Sequence, residues 1–467
     1  MIDDLEATIQ QLRADGIPAQ MFDPTQVTKF RALYDAAVKP GEQPRARSAA
    51  LKQLRAAVTK ASKDLKADAD RQTRATTTGA DQAIEDLRKA AQDLIDPMVV
   101  KDANDPKDPK TALAARLKAL TDEIPDAAKV TDQAKLEAAR KQAEADAKAL
   151  IKDAAKAAGD DDPKVRQKVQ DAYQKAIKEK YGISFGQGPD EKLAVKYTHL
   201  DDFYDVLEKV PVGHVAHKNM RDLTYVKGLD GIGKFTGVGI ELGTMPKDGG
   251  KRSEADPKDN QDIPEKHKVT TQENKFAITV LHELGHSVDQ RWNLIPGIQS
   301  DAKCGGWIEH GWGDIARQLI ADFQQSHART PVTEAQLHAA ALAALVHGAT
   351  APAPEGIDPT LWTDVSNHFG PWAEMHSRSY PWIGDPVPYK SRSYVFGKWA
   401  GAQWFSYLPT ERAKMHITDY QWSSPREWFA ELYALCWHKN EPAPSFVHDK
   451  VKAFMPGGSS AAPPEKP

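Results

Sequence analysis

The chain has 467 residues, a net charge of −4, 40% hydrophobic residues and 27% charged residues. That balance suits a soluble chain of two or three domains and argues against a strongly basic nucleic-acid binder. Two cysteines, Cys304 and Cys436, show no CxxC pairing, which argues against a disulfide framework or a thiolate zinc site.

The segment Met1-Ile2-Asp3-Asp4-Leu5 has neither a basic n-region nor an apolar core, and no run is long enough to cross a bilayer. The expectation is a cytoplasmic protein, or one exported without a cleaved Sec signal. The first 180 or so residues are rich in Ala, Lys, Asp, Gln and Arg, with few aromatics (Phe22, Phe30, Tyr34, Tyr173). Strong helix formers with scattered Leu, Ile and Val predict helices near 3–15, 24–38, 45–95, 110–122, 131–158 and 162–181. The Pro- and Asp-rich stretch 96–110 reads as a linker. Asp162-Pro163 suits a helix start. These charge-laced helices read either as a solvated bundle or spacer, or as a module that binds a delivery or partner protein.

From about Tyr181 the chain gains Gly, Pro and aromatics, and all eleven Trp lie at or after Trp292. His199–Val210 reads as an amphipathic helix. Asp222–Val226 and Gly237–Leu242 read as short strands. Pro246–Lys268 is a polar loop, and Thr270 with Glu273 forms a capping box before the next helix. Thr333–His347 reads as an Ala- and Leu-rich core helix, and the tail 456–467 as disordered. The predicted fold class is α+β: a mainly α-helical N-terminal region (1–95 and 111–185), then a domain over 186–455. That domain has a short antiparallel or mixed sheet, an active-site helix and an insertion at about 300–415.

The helix after Thr270 contains Leu281-His282-Glu283-Leu284-Gly285-His286, an HExxH motif. Residues i and i+4 share a helix face, so His282 and His286 can bind one metal ion. Glu283, beside the first ligand, can act as general base toward water. The plain alternative is two surface histidines on an ordinary helix. A catalytic zinc takes three protein ligands, and a metzincin would place Gly and His where this chain has Asp289 and Trp292. A carboxylate on a later helix is the other solution. Ser424-Pro425-Arg426-Glu427-Trp428-Phe429-Ala430-Glu431 puts Glu427 and Glu431 one turn apart on one face. One can ligate the metal while the other holds a ligand imidazole by its free N–H. Against this, Ser424 and Glu427 also fit a capping box, in which Glu427 only closes a helix start.

HELGH, followed by Tyr420 seven residues before Glu427-Trp428-Phe429-Ala430-Glu431, resembles the catalytic domain of anthrax lethal factor and its relatives, zinc metallopeptidases of the gluzincin type. Lys209–Val215 is similar to the start of such domains. The resemblance covers roughly residues 190–450. It implies a zincin-like domain binding one Zn²⁺ through His282, His286 and Glu427, with Glu283 as base. It also implies that the Tyr420 hydroxyl stabilises the oxyanion and that the substrate is a protein or peptide. A bacterial or phage-associated effector or toxin is the biological role it suggests. The alternatives are an intracellular processing peptidase and an interaction protein with a vestigial zincin domain. His286 and Glu427 are 141 residues apart, which implies an inserted segment over the site or beside it.

Among the remaining candidates, His310, His368, His376 and His416 read as packed or surface histidines. The aromatics Trp372, Tyr380, Trp382, Tyr389, Tyr394, Trp399, Trp404 and Tyr407 read mostly as core and buttress, with a substrate groove as the alternative. Gly231-Ile232-Gly233 is too short for a phosphate loop.

Overall fold

Helices carry most of the computed structural model, and two small sheets complete it. The residues it describes are 34–35, 44–100, 105, 107–123, 132–186, 197–225, 233–243, 275–292, 295, 305–310, 320, 323–324, 333–347, 352–353, 355–368, 387–389, 392–399, 403–415, 417–418 and 420–439. Apart from 34–35, the helices expected near 3–15 and 24–38, the Thr270–Glu273 cap, the polar loop before it and the tail lie outside the described residues. So do His376, His416, Trp372, Tyr380 and Trp382.

The single helix expected over 45–95 is two, α1 (Pro44–Thr76) and α2 (Thr78–Ile95). Thr77 leaves helical geometry at φ −128°, ψ −112°. The cause is local: three consecutive β-branched threonines precede Gly79, and the Thr77 hydroxyl donates back to the Thr73 carbonyl at 2.6 Å. Gly79 then lets α2 dock closely. A Cβ there would lie 2.6 Å from the Glu179 carbonyl oxygen. Next come α3 (Pro109–Glu123), α4 (Gln133–Ala158) and α5 (Pro163–Tyr181). Asp132 caps α4 by accepting from the Ala134 and Lys135 amides. Asp162 caps α5 by accepting from the Lys164 amide, with Pro163 in the first turn. Gly159 and Gly182, at φ 93° and 73°, end the two helices in the left-handed region.

Much of the buried face of this bundle is alanine. Ala83, Ala91, Ala147, Ala154 and Ala176 are fully buried beside Ile84, Leu87, Ile151 and Ile177. Small side chains let the helices approach closely, so a segment with few large apolar residues still builds a core. This core is continuous with that of the C-terminal half, which includes Leu281, Leu284, Trp428 and Tyr433. The helix α6 (Tyr197–Lys209) joins the two. It contributes Leu200, Phe203 and Leu207 to the core, and its acids meet buried lysines of the bundle. Lys148 of α4 donates to Asp205 at 2.6 Å, and Lys180 of α5 donates to Glu144 of α4 at 2.6 and 2.7 Å and approaches Glu208 at 3.4 Å. Charges this deeply placed persist only when paired in this way.

The first sheet has the order β1-β2-β4-β3, from β1 (Ser184–Gly186), β2 (Asp222–Tyr225), β3 (Gly233–Phe235) and β4 (Gly239–Leu242). β1, β2 and β4 run parallel, and β3 lies antiparallel to β4 at the edge. Behind it runs α7 (Lys275–Trp292), the helix that carries the HExxH residues. The second sheet is antiparallel with the order β5-β8-β7-β6, from β5 (Ile308–His310), β6 (Val387–Tyr389), β7 (Arg392–Trp399) and β8 (Gln403–Tyr407). Helices α8 (Glu334–His347), α9 (Pro359–His368) and α10 (Pro409–Met415) surround it in sequence, and α11 (Pro425–Lys439) closes the described chain. None of the helices among the described residues is long and apolar enough to cross a membrane.

The end of α7 is tied to the first long helix. Asp68 of α1 is fully buried and accepts from Arg291 Nε at 2.8 Å, the Lys218 amide at 2.8 Å and Arg71 at 2.6 Å. Between α6 and β2, His217 Nδ1 accepts from the Asn219 amide at 3.2 Å, so its Nε2–H donates to the His214 carbonyl at 3.0 Å. His214 Nδ1 lies 3.0 Å from the Tyr433 hydroxyl of α11.

Burial pushes the His214 pKa down to about 3. Between that value and the usual 6.5, the unfolded chain binds a proton that the folded chain does not. Stability is therefore full above pH 6.5 and falls as the pH drops. This one group contributes a loss of about 2 kcal/mol between pH 7 and pH 5. In urea unfolding over a pH series, His214→Gln is expected to flatten that slope by about 1.4 kcal/mol per unit near pH 5. An unchanged slope would refute the buried neutral state.

Candidate metal centre

α7 and α11 cross at very short range, and the two small residues at the contact explain why. A Cβ on Gly285 would lie 2.9 Å from the Ala430 Cα and 3.1 Å from the Tyr433 Cβ. Glycine in the middle of a helix costs about 1 kcal/mol relative to alanine. Here the missing side chain lets the backbones close together. The approach brings the first turn of α11 over the histidine face of α7.

Three ligand-type atoms converge there. Glu427 Oε2 lies 3.0 Å from His282 Nε2 and 3.1 Å from His286 Nε2, and the two nitrogens are 3.2 Å apart. This set of two imidazoles and one carboxylate could hold a metal ion. Behind it, His282 Nδ1 stands 3.3 Å from Glu431 Oε1. With Nδ1–H donating to Glu431, His282 Nε2 keeps its lone pair and turns it to the centre. A lone pair facing a carboxylate oxygen at hydrogen-bond distance requires a positive charge between them. The electrostatics agree. Burial opposes a charged imidazole, but Glu427 and Glu431 outweigh it and draw the His282 pKa well above its usual 6.5. Burial alone would raise the Glu427 pKa; His286 and His282 instead hold it far below the usual carboxylate range. A positively charged species between these atoms answers that demand, and a metal ion is one that the three could hold.

The capping question at Glu427 has a geometric answer. Ser424 Oγ accepts from the Glu427 amide at 3.2 Å, so Ser424 caps α11. The Glu427 side chain does not complete a reciprocal box; its Oε2 points to the two imidazoles. Backbone and side chain of one residue serve different ends.

The other expected residues line the same cavity of about 320 Å³. Glu283 is buried on its wall beside β3. Burial raises its pKa, partly opposed by the nearby histidines and by the neighbouring Phe235 backbone N–H. Gly233 fits against this carboxylate: a Cβ there would come 2.8 Å from Glu283 Oε1 and 2.6 Å from Thr279 Cγ2. Tyr420 opens a single 3-10 turn, Tyr420–Ser423, just before α11. Its ring centroid is 5.9 Å from that of His282, and its hydroxyl donates to Glu427. Burial, with Glu427 and Glu283 nearby, raises its pKa far above the usual tyrosine value. Asp289, Gln290, Lys234 and Arg426 complete the lining, and Arg426 Nε is 3.9 Å from Asp289 Oδ2.

No protein-family model, curated protein or solved structure matches this chain.

Of the other histidine candidates, His310 is not among the residues that line this cavity. His310 is buried and lies 2.7 Å from the Ser406 hydroxyl across β5 and β8. His368 ends α9. Of the aromatic group, Tyr407 is buried and packs on Trp307 and Trp422. Gly233, Phe235 and Arg426 are cavity residues that the motif search did not reach. A glycine within a strand marks a close approach of backbone to another group, and that was the available signal for Gly233.

The ligand set predicts graded metal affinities. Glu431→Gln, which keeps the ligands but weakens the hold on His282, is expected to lower metal affinity about 10–100-fold. Glu427→Ala is expected to lower it further, because it removes a ligand. Competition against a chromogenic chelator measures both; equal affinities in the two variants would refute the assignment. Gly285→Ala is expected to destabilise the fold by about 1–3 kcal/mol in urea unfolding, since its methyl has only backbone and Tyr433 to move.

Proposed function

We propose that this chain is a zinc-dependent metallopeptidase of the HExxH…Glu type, a gluzincin with a zincin-like domain similar to that of anthrax lethal factor. The observation that carries the reading is the convergence of His282 Nε2, His286 Nε2 and Glu427 Oε2 at 3.0–3.2 Å, with Glu283 in the same cavity. Tetrahedral bonds of about 2.0–2.1 Å set ligand atoms roughly 3.3–3.4 Å apart, within a few tenths of these spacings. Two imidazoles and a carboxylate, with a fourth position left to water or substrate, are the donor pattern of a catalytic rather than a structural zinc.

Zinc held there would supply Lewis acidity toward a carbonyl and lower the pKa of water toward about 7. The protein side chains do the rest. Glu283, with its pKa raised by burial, takes a proton from water and passes it to the leaving amine. The Tyr420 hydroxyl, kept protonated by its surroundings, donates to the oxyanion that forms on the scissile carbonyl. Glu431 fixes the ring of His282. β3, at the edge of its sheet among the described residues, offers backbone groups beside Glu283 to an extended peptide.

Glu283→Gln is expected to abolish cleavage of an unstructured protein such as casein while one zinc stays bound. Metal analysis beside a cleavage assay reads both, and full activity in that variant would refute the mechanism. Tyr420→Phe is expected to lower kcat about 10²–10³-fold with zinc content unchanged.

A further inference from the structure

Tyr420 is 37% exposed, so its own packing anchors it only in part, yet its hydroxyl must be held at one position beside Glu427. Its turn is fixed from the other side. Two residues on, Trp422 is 1% exposed and stacks on Trp307 with centroids 5.7 Å apart and planes 19° apart. The Tyr407 ring closes on it at 4.8 Å. Both partners belong to the second sheet or its approach: Tyr407 ends β8, and Trp307 immediately precedes β5. Gly305 makes the stack possible. It sits at φ +87°, and a Cβ there would lie 2.9 Å from Trp307 Nε1 and 3.2 Å from Trp422 Cζ3. The turn is also closed on itself. The Ser423 hydroxyl donates to the Tyr420 carbonyl at 2.6 Å, and the Gln421 amide donates to Thr418 Oγ1 at 3.0 Å. The buried Gln421 carboxamide oxygen accepts from the Ile417 amide at 2.8 Å. Nothing in the chemistry of the metal ligands calls for a tryptophan stack here. It does what a catalytic hydroxyl on a one-turn helix requires, which is to remove the turn's freedom to rock.

We propose that Trp422, clamped by Trp307 and Tyr407, is a positioning residue that sets the Tyr420 hydroxyl at the metal ligands, so that the second sheet acts on the site through this turn. The catalytic half of this statement rests on the peptidase reading above; the positional half does not.

A double-mutant cycle on the full-length, zinc-loaded chain tests the catalytic half, with labelled casein as the probe substrate. Trp422→Leu is expected to lower kcat about 10–100-fold at unchanged KM and zinc content, and Trp422→Phe to restore most of the loss. In the Tyr420→Phe background the same Trp422→Leu change is expected to cost less than about 3-fold, because the hydroxyl it positions is gone. Equal losses in both backgrounds, or full kcat in Trp422→Leu, would overturn the proposal. Should Trp422→Leu fail to fold, Gly305→Ala, which presses on the same stack, takes its place in the cycle with the same expected pattern. The positional half is read without activity. In zinc-loaded protein carrying ¹³Cζ-tyrosine, the resonance identified by its loss in Tyr420→Phe should shift or broaden in the stack variants, while those of Tyr173 and Tyr204 stay in place. An unmoved Tyr420 resonance overturns the proposal. A moved resonance in a protein that cleaves neither casein nor a peptide library sustains the positioning role and refutes the peptidase reading alone.

Discussion

The close crossing of α7 and α11 is the constraint on which the metal centre depends. A helix can bring two imidazoles to one face through its own geometry, but a third ligand must come from elsewhere, and here it comes from 141 residues further along. A carboxylate on a two-carbon side chain can reach both Nε2 atoms only if its own backbone is near the histidine helix. Gly285 against Ala430 provides that nearness, and Trp428, Phe429, Leu432 and Tyr433 bury around it. Once the helices meet there, the register of α11 places Glu427 at the centre. Glu431, one turn later, falls behind His282.

Electrostatics then determines what the site will accept. Glu283, Glu427 and Glu431 are buried within one small volume, and the nearby arginine, Arg426, is mostly exposed and leans towards Asp289. Glu427 and Glu431 draw the His282 pKa up, and burial raises that of Glu283. This crowding of carboxylates suits the site to a cation, and the burial that raises the Glu283 pKa does not depend on one.

The centre was largely legible in the sequence because its signals are local. HExxH and the one-turn spacing of Glu427 and Glu431 are helix-periodicity arguments that survive without tertiary information. What sequence could not separate was cap from ligand at Glu427. That choice depends on where the carboxylate points, and the pointing follows from the α7–α11 contact. The helices between 109 and 209 were legible through their composition and apolar pattern and, for α5, through the Asp162-Pro163 start. The break at Thr77 was hidden by a run that reads as helix on composition, although the three threonines and Gly79 marked it. The alanine-rich faces read as solvent-exposed because large apolar residues are scarce. They are buried because small side chains let the helices pack closely, which only tertiary structure reveals. The second sheet was missed for a related reason. Its strands β6, β7 and β8 lie in an aromatic-rich stretch where the two-residue period is blurred, and β5 joins β8 from far earlier in the sequence.

The cavity has a floor and walls of different origin, and this bears on how a single chain holds it rigid. The floor is α7 and α11, locked by their crossing and, at the end of α7, by the buried Asp68–Arg291 pair from α1. One wall is β3 from the first sheet, fitted to Glu283 through Gly233. The other is the Tyr420 turn, held from below by the second sheet. Ligands on a helix pair keep their spacing through small motions of either sheet, whereas Glu283 and Tyr420 stand where sheet meets floor and feel such motions directly. The aromatic stack under Tyr420 and the glycine fit beside Glu283 lie at those two seams. The close fits thus lie beside Glu283 and Tyr420, and the long helical half shares the core that anchors the floor.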